Sequence, residues 1–131
     1  MDRVFLDANV LFSAAYRPQA GLLRLWHLSK TVLLTSDYAL NEARINLEKP
    51  EQRVRLEEII RAIQIVQDPA GTRLPKGIDL PEKDRPILLA AIQAKSTHLI
   101  TGDIRDFGPY FGSRVEGVLI LPPAEYLKNR E

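Results

Sequence analysis

The stretch Arg3-Val4-Phe5-Leu6-Asp7-Ala8-Asn9-Val10-Leu11 decides how this chain folds. Arg3 to Leu6 is a short, mostly apolar run without polar alternation, which is the pattern of a strand buried on both faces. Asp7 closes that run, and the small and apolar residues after it open a helix. A buried strand ending in an acid and passing straight into a helix is the first unit of an α/β fold.

Outward from this unit the pattern repeats. Residues 8–15 and 20–28 read as helices, separated by the turn-forming Arg17-Pro18-Gln19. Thr31-Val32-Leu33-Leu34-Thr35 reads as a second strand, and Ser36 stands where a helix N-cap belongs, before a helix through Tyr38, Leu40, Ala43 and Leu47. Residues 51–67 place Val54, Ile59, Ile60 and Ile63 at helical intervals, which predicts a surface helix packed on one side. Residues 68–81 hold three prolines and two glycines and form the main loop, long enough to serve a site. A buried helix is expected from Lys83 or Asp84, with Pro86 tolerated in its first turn, where amide donors have no intrahelical partner. Residues 98–101 and 118–121 supply two further strands, and 123–128 a terminal helix. This order requires crossovers. It predicts three layers, with a central, mainly parallel sheet of four or five strands and helices on both faces. All of it fits one domain, residues 1–131.

Composition narrows the class. The apolar fraction of 45% is that of an ordinary globular protein and argues against disorder. Zero cysteines exclude disulfides, thiolate zinc sites and cysteine nucleophiles together. No apolar run approaches the ~20 residues of a membrane span, and the first residues lack an apolar signal core, so a soluble, cytoplasmic protein without a membrane partner is expected. A net charge of +1 neither favours nor opposes a nucleic-acid partner, because acids gathered in one cleft can balance bases around it.

Four acids carry the chemistry. Taken singly, each has an ordinary explanation. Asp7 can be a helix cap, Asp103 a turn residue in Thr101-Gly102-Asp103, Asp84 a complement to a helix dipole, and Glu42 a solvated helix residue. Taken together they differ. Asp7 and Asp103 follow parallel strands at their carboxyl ends, where such sheets bind ligands. Asp84 opens the helix that feeds the second of those strands. The helix bearing Glu42 can return beside the first. Carboxylates gathered in this way repel, and a divalent cation is the usual compensation. Oxygen donors without thiolates or paired histidines favour Mg²⁺ or Mn²⁺.

These segments resemble the PIN-domain nucleases. Phe5 to Leu11 is similar to their opening strand, with its terminal Asp, a small residue and Asn. Thr35-Ser36-Asp37-Tyr38-Ala39-Leu40-Asn41-Glu42 is similar to their second element, residues 83–91 to the third, and residues 99–107 to the fourth. The segments occur in the family's order and cover most of the chain. The resemblance, in style to the VapC-like toxins, implies a metal-dependent endoribonuclease that hydrolyses RNA phosphodiester bonds. It further implies the toxin of a type II toxin–antitoxin pair, with a cognate antitoxin protein and a homodimeric state.

On this reading Asp7, Glu42, Asp84 and Asp103 are both the catalytic and the metal-binding set. Asp7 and Asp103 would be the inner ligands, because strand ends hold them rigidly. Glu42 and Asp84 would complete the cluster, through water or as the base for an attacking water. Asn9, Thr101 and Asp106 are accessory candidates, and Arg85 and Arg105 are candidate contacts to RNA phosphates. His27 and His98 are expected to serve packing and local hydrogen bonds. Two other classes stay open. One is a catalytically silent PIN-like module that binds a protein or RNA, which an incomplete acid set would mark. The other is a receiver-like Mg²⁺ hydrolase, which needs an acidic pair where Asp7-Ala8 offers a single acid.

Overall fold

A computed structural model describes residues 1–128 and Arg130. Strand β1 (Asp2–Leu6) leads through Asp7 into helix α1 (Ala8–Tyr16), and a seven-residue 3₁₀ segment, Gly21–His27, returns the chain to β2 (Thr31–Ser36). Helices α2 (Asp37–Asn46) and α3 (Pro50–Ile59) follow, then β3 (Ile63–Val66). After the long loop come α4 (Arg85–Gln93), β4 (His98–Ile100), β5 (Arg114–Val115), β6 (Val118–Leu121) and α5 (Pro123–Leu127).

The strands form one six-stranded sheet in the order β3-β2-β1-β4-β6-β5. All neighbouring pairs are parallel except β5 with β6. Phe5 sits in the middle, paired with Leu34 on one side and Leu99 on the other. Because side chains alternate along a strand, Val4 and Leu6 enter a core under α1, α3, α5 and most of α2, while Phe5 enters a second core under α4. Burial on both faces is why the strand shows no polar alternation. The chain runs from β1 to β2 on one side and later places β4 on the other. The carboxyl ends of β1 and β4 therefore flank the crevice where the strand order reverses.

Three sequence expectations are corrected. The helix expected over 51–67 ends at Ile59; after a 3₁₀ turn, Ile60–Ala62, the chain becomes β3. There Ile63 pairs with Leu33 and Ile65 with Thr35 along the sheet edge, so strand pairing overrides the helical spacing. The sheet has six strands rather than four or five, the additions being the edge strands β3 and β5. β5 exists because Glu116 (φ 48°) and Gly117 (φ 86°) make a two-residue reverse turn that pairs Val115 with Val118. The segment 20–28 is a 3₁₀ helix rather than an α-helix. Among the described residues no helix is long and apolar enough to cross a membrane.

Candidate metal centre

Asp7 caps α1. Its Oδ1 accepts from the Ala8 amide at 2.6 Å, and its Oδ2 accepts from the Thr101 hydroxyl at 2.8 Å and from Asn9 Nδ2 at 3.3 Å. Burial raises its pKa to about 6, against the pull of the Thr101 and Ala8 hydrogen bonds and with a further push from the charges of Glu42 and Asp103. Asn9 fastens this carboxylate to the loop after β4, since its Oδ1 accepts from the Gly102 amide at 2.8 Å. A Cβ on Gly102 would stand 3.3 Å from that same Oδ1, so the bare glycine keeps the clasp unstrained. Thr101 is fully buried, and its Oγ1 also accepts from the Asp103 amide at 3.1 Å.

Asp103 is partly exposed and turns the chain back by accepting the Asp106 amide on Oδ1 at 3.0 Å. That turn carries the Asp106 carboxylate toward Asp84. Oxygens of Asp84, Asp103 and Asp106 all lie within 4.8 Å of one another. Asp84 ends a short 3₁₀ turn, Glu82–Asp84, ahead of α4 and makes no capping bond. Its residue is 7% exposed, and its Oδ2 is buried with no hydrogen-bond partner. Burial, then contact with the Asp106 carboxyl, raises its pKa to about 7, while Lys83 opposes the rise and the charges of Asp103 and Asp106 add to it. Lys83 Nζ is 3.7 Å from Asp106 Oδ2 and 4.0 Å from Asp84 Oδ2.

Asp7, Glu42, Asp84 and Asp103 line one cavity of about 430 Å³, together with Asn9, Phe12 and Lys83. The tight trio differs from the expected foursome. Asp106, expected as an accessory, stands within it, while Asp7 and Glu42 face the same cavity from outside it. Arg85 and Arg105 are elsewhere. Arg85 donates Nε to the Leu80 carbonyl at 3.1 Å, and both arginines line a second cavity on the flank of Asp106. His98 lies buried against Thr97 and Asp2 and does not line the acidic cavity.

Two neighbours escaped the sequence reading. Lys83 was visible only as a helix-start residue. Tyr38 donates its hydroxyl to the Lys83 carbonyl at 2.7 Å, and burial, then the charge of Glu42, raises its pKa. The signal for both was their adjacency to acids, which in a sequence is too common to single them out.

The donor set fits a hard divalent cation. A buried carboxylate oxygen without a donor, facing two more carboxylates, is costly unless protonated or metal-bound. All the nearby side-chain oxygens are carboxylates, amides or hydroxyls, the donors of Mg²⁺ and Mn²⁺.

The family and the fold are shared with known proteins. A family model described as PIN domain matches residues 3–105. The crystal structure of VapBC2 from Rickettsia felis, bound to a DNA fragment from their promoter, contains a chain that matches with a TM-score of 0.68 and 16% identity. That match covers 92% of this chain and 98% of the other. VapC20 of Mycobacterium tuberculosis, described as a Sarcin-Ricin loop cleaving toxin, matches with a TM-score of 0.54 and 16% identity, over 76% of this chain and 91% of its own. No curated protein sequence matches the chain.

Proposed function

Because the chain belongs to the PIN domain family, we propose that it is a Mg²⁺- or Mn²⁺-dependent endoribonuclease acting as a single domain. The observation that carries this reading is Asp84, whose Oδ2 is buried without a hydrogen-bond partner and whose carboxylate stands beside those of Asp103 and Asp106, with Asp84 and Asp103 sharing a cavity with Asp7 and Glu42. Asp84, Asp103 and Asp106 would hold the cation, with Asp7 and Glu42 completing the acidic wall. Bound there, the cation supplies charge neutralisation at phosphorus and an acidified water.

The chain's own residues do the rest. Asp7 is held by Ala8, Thr101 and Asn9 in one orientation, and with a pKa near 6 it is ionised at neutral pH and able to accept a hydrogen bond from a water in the cavity. Glu42, which lines the same cavity and is partly exposed where Asp7 is buried, is the better placed of the two to pass a proton to solvent. Lys83 presents an ammonium at the rim and can meet a phosphate oxygen. Arg85 and Arg105 would meet a phosphate only on the flank beyond Asp106.

Likeness to VapBC2 and VapC20 supports a toxin of a type II pair, with an antitoxin protein as partner. One observation favours the silent-module alternative. The Lys83 ammonium beside Asp84 and Asp106 can itself supply positive charge to the cluster. Incubating the purified protein with single-stranded and hairpin RNA separates the two readings. The nuclease reading expects cleavage with Mn²⁺ and none with EDTA; intact RNA under both conditions would favour the silent module.

A further inference from the structure

Phe12 walls two spaces at once. On one side it faces the acidic cavity, and on the other it opens a groove of about 920 Å³ between α1, the 3₁₀ segment and α5. One helical turn further along α1, Tyr16 stacks on Phe12 with ring centroids 5.4 Å apart and a tilt of 40°. Tyr16 is 53% exposed, although a ring of that size in a folded domain is ordinarily more covered. Arg17, Arg24 and Lys128 are exposed along the same groove. Among the described residues none of the three has a carboxylate within ion-pair distance, and no acidic side chain lines the groove. Arg130, which also lines it, is already held by Asp2 and by the Tyr126 ring.

We propose that this groove is a track for single-stranded RNA, along which the strand extends from the acidic cavity across the Phe12–Tyr16 rings toward Arg17, Arg24 and Lys128. The inference rests on the nuclease reading and deepens it by assigning the residues that guide the strand outside the acidic cavity. An exposed ring, Tyr16, backed by the partly buried Phe12 beside a row of free cations is a combination that binds unpaired bases, because every base offers a face to stack while cations follow the backbone. A duplex cannot use the rings, since its bases are already stacked. Cations without acids specify a polyanion, and continuity with the acidic cavity through Phe12 favours RNA over an acidic peptide.

The test measures binding apart from cleavage. A fluorescein-labelled oligouridylate of about ten nucleotides is titrated with the whole protein in EDTA, and its anisotropy is read over a range of salt. Tyr16→Ala is expected to weaken binding about fivefold or more, the usual effect of removing one stacking ring. The pair Arg17→Ala with Arg24→Ala should reduce the slope of log affinity against log salt by about 1.4, two phosphate contacts on a single strand. These side chains are exposed, and circular dichroism verifies each fold. Arg24→Glu provides a second variant with a larger expected loss.

If the variants bind like wild type with the same salt slope, the proposal is overturned. It is equally overturned if an oligoglutamate peptide binds more tightly than RNA and alone is weakened by the substitutions. Wild-type cleavage in Mn²⁺ is scored separately. Cleavage with unchanged variant binding removes the track and keeps the nuclease, whereas variant-sensitive binding without cleavage does the reverse.

Discussion

At the scale of single residues, the buried acids make opposite demands with and without metal. Asp7 and Asp84 have pKa values of about 6 and about 7 in the folded chain, against 3.8 for an ordinary aspartate. Between those limits the native state binds protons that the unfolded chain has released. The metal-free protein therefore loses stability as pH rises from about 4 to about 7, by on the order of a few kcal/mol. Melting temperatures in EDTA should fall across this range and fall less for Asp84→Asn; a wild-type curve that is flat or rising would contradict the burial account. Asp103→Asn keeps an acceptor for the Asp106 amide and removes one charge. Folding should persist, the Mn²⁺-dependent gain in melting temperature should vanish, and RNA cleavage should fall by more than about 100-fold, beyond the loss typical of an outer-sphere partner. All four expected acids face one cavity, so their grouping was legible from their places at strand ends and helix starts. The rank of Asp106 was not, because it depends on a turn folded by Asp103 itself.

At the scale of elements, the site is a junction between the ends of β1 and β4. Thr101 joins them, donating to Asp7 and accepting from Asp103. Thr101→Val preserves shape and β propensity but leaves a buried carboxylate oxygen short of a donor. It is expected to destabilise the fold by about 1–3 kcal/mol and to raise the Asp7 pKa further. A chemical-denaturation midpoint equal to wild type would show that the hydroxyl is dispensable. The central strands were legible because burial on both faces leaves unbroken apolar runs, as in Val4-Phe5-Leu6 and Leu33-Leu34. The edge strand β3 was hidden because Ile59, Ile60 and Ile63 also satisfy helical spacing. Only pairing with β2, a long-range contact, decides between the two. β5 is two residues long and has no period to read.

At the scale of the whole molecule, exposed apolar side chains bear on assembly. Ile45 on α2 is 77% exposed and Val54 on α3 is 59% exposed, and a dimer interface covering them would remove this surface from water. We propose a homodimer formed through this part of the molecule. Light scattering at micromolar concentration should give twice the mass of one chain, and the paired change Ile45→Glu with Val54→Glu should return it to a single chain's mass. A wild-type mass of one chain would remove the proposal.

The function proposed for this chain requires that buried Asp84, with the partly exposed Asp103 and Asp106 beside it, holds a divalent cation. Calorimetric titration of Mn²⁺ into the protein at pH 6.5 tests it most directly, repeated in buffers of different ionisation enthalpy. With the Asp84 pKa near 7, much of that group is protonated at this pH, and metal must displace the proton to bind. Saturable Mn²⁺ binding to wild type is expected, with buffer-dependent heat from proton release, and both should be lost in Asp84→Asn. Equal titrations of the two proteins, or no binding to wild type, would contradict it.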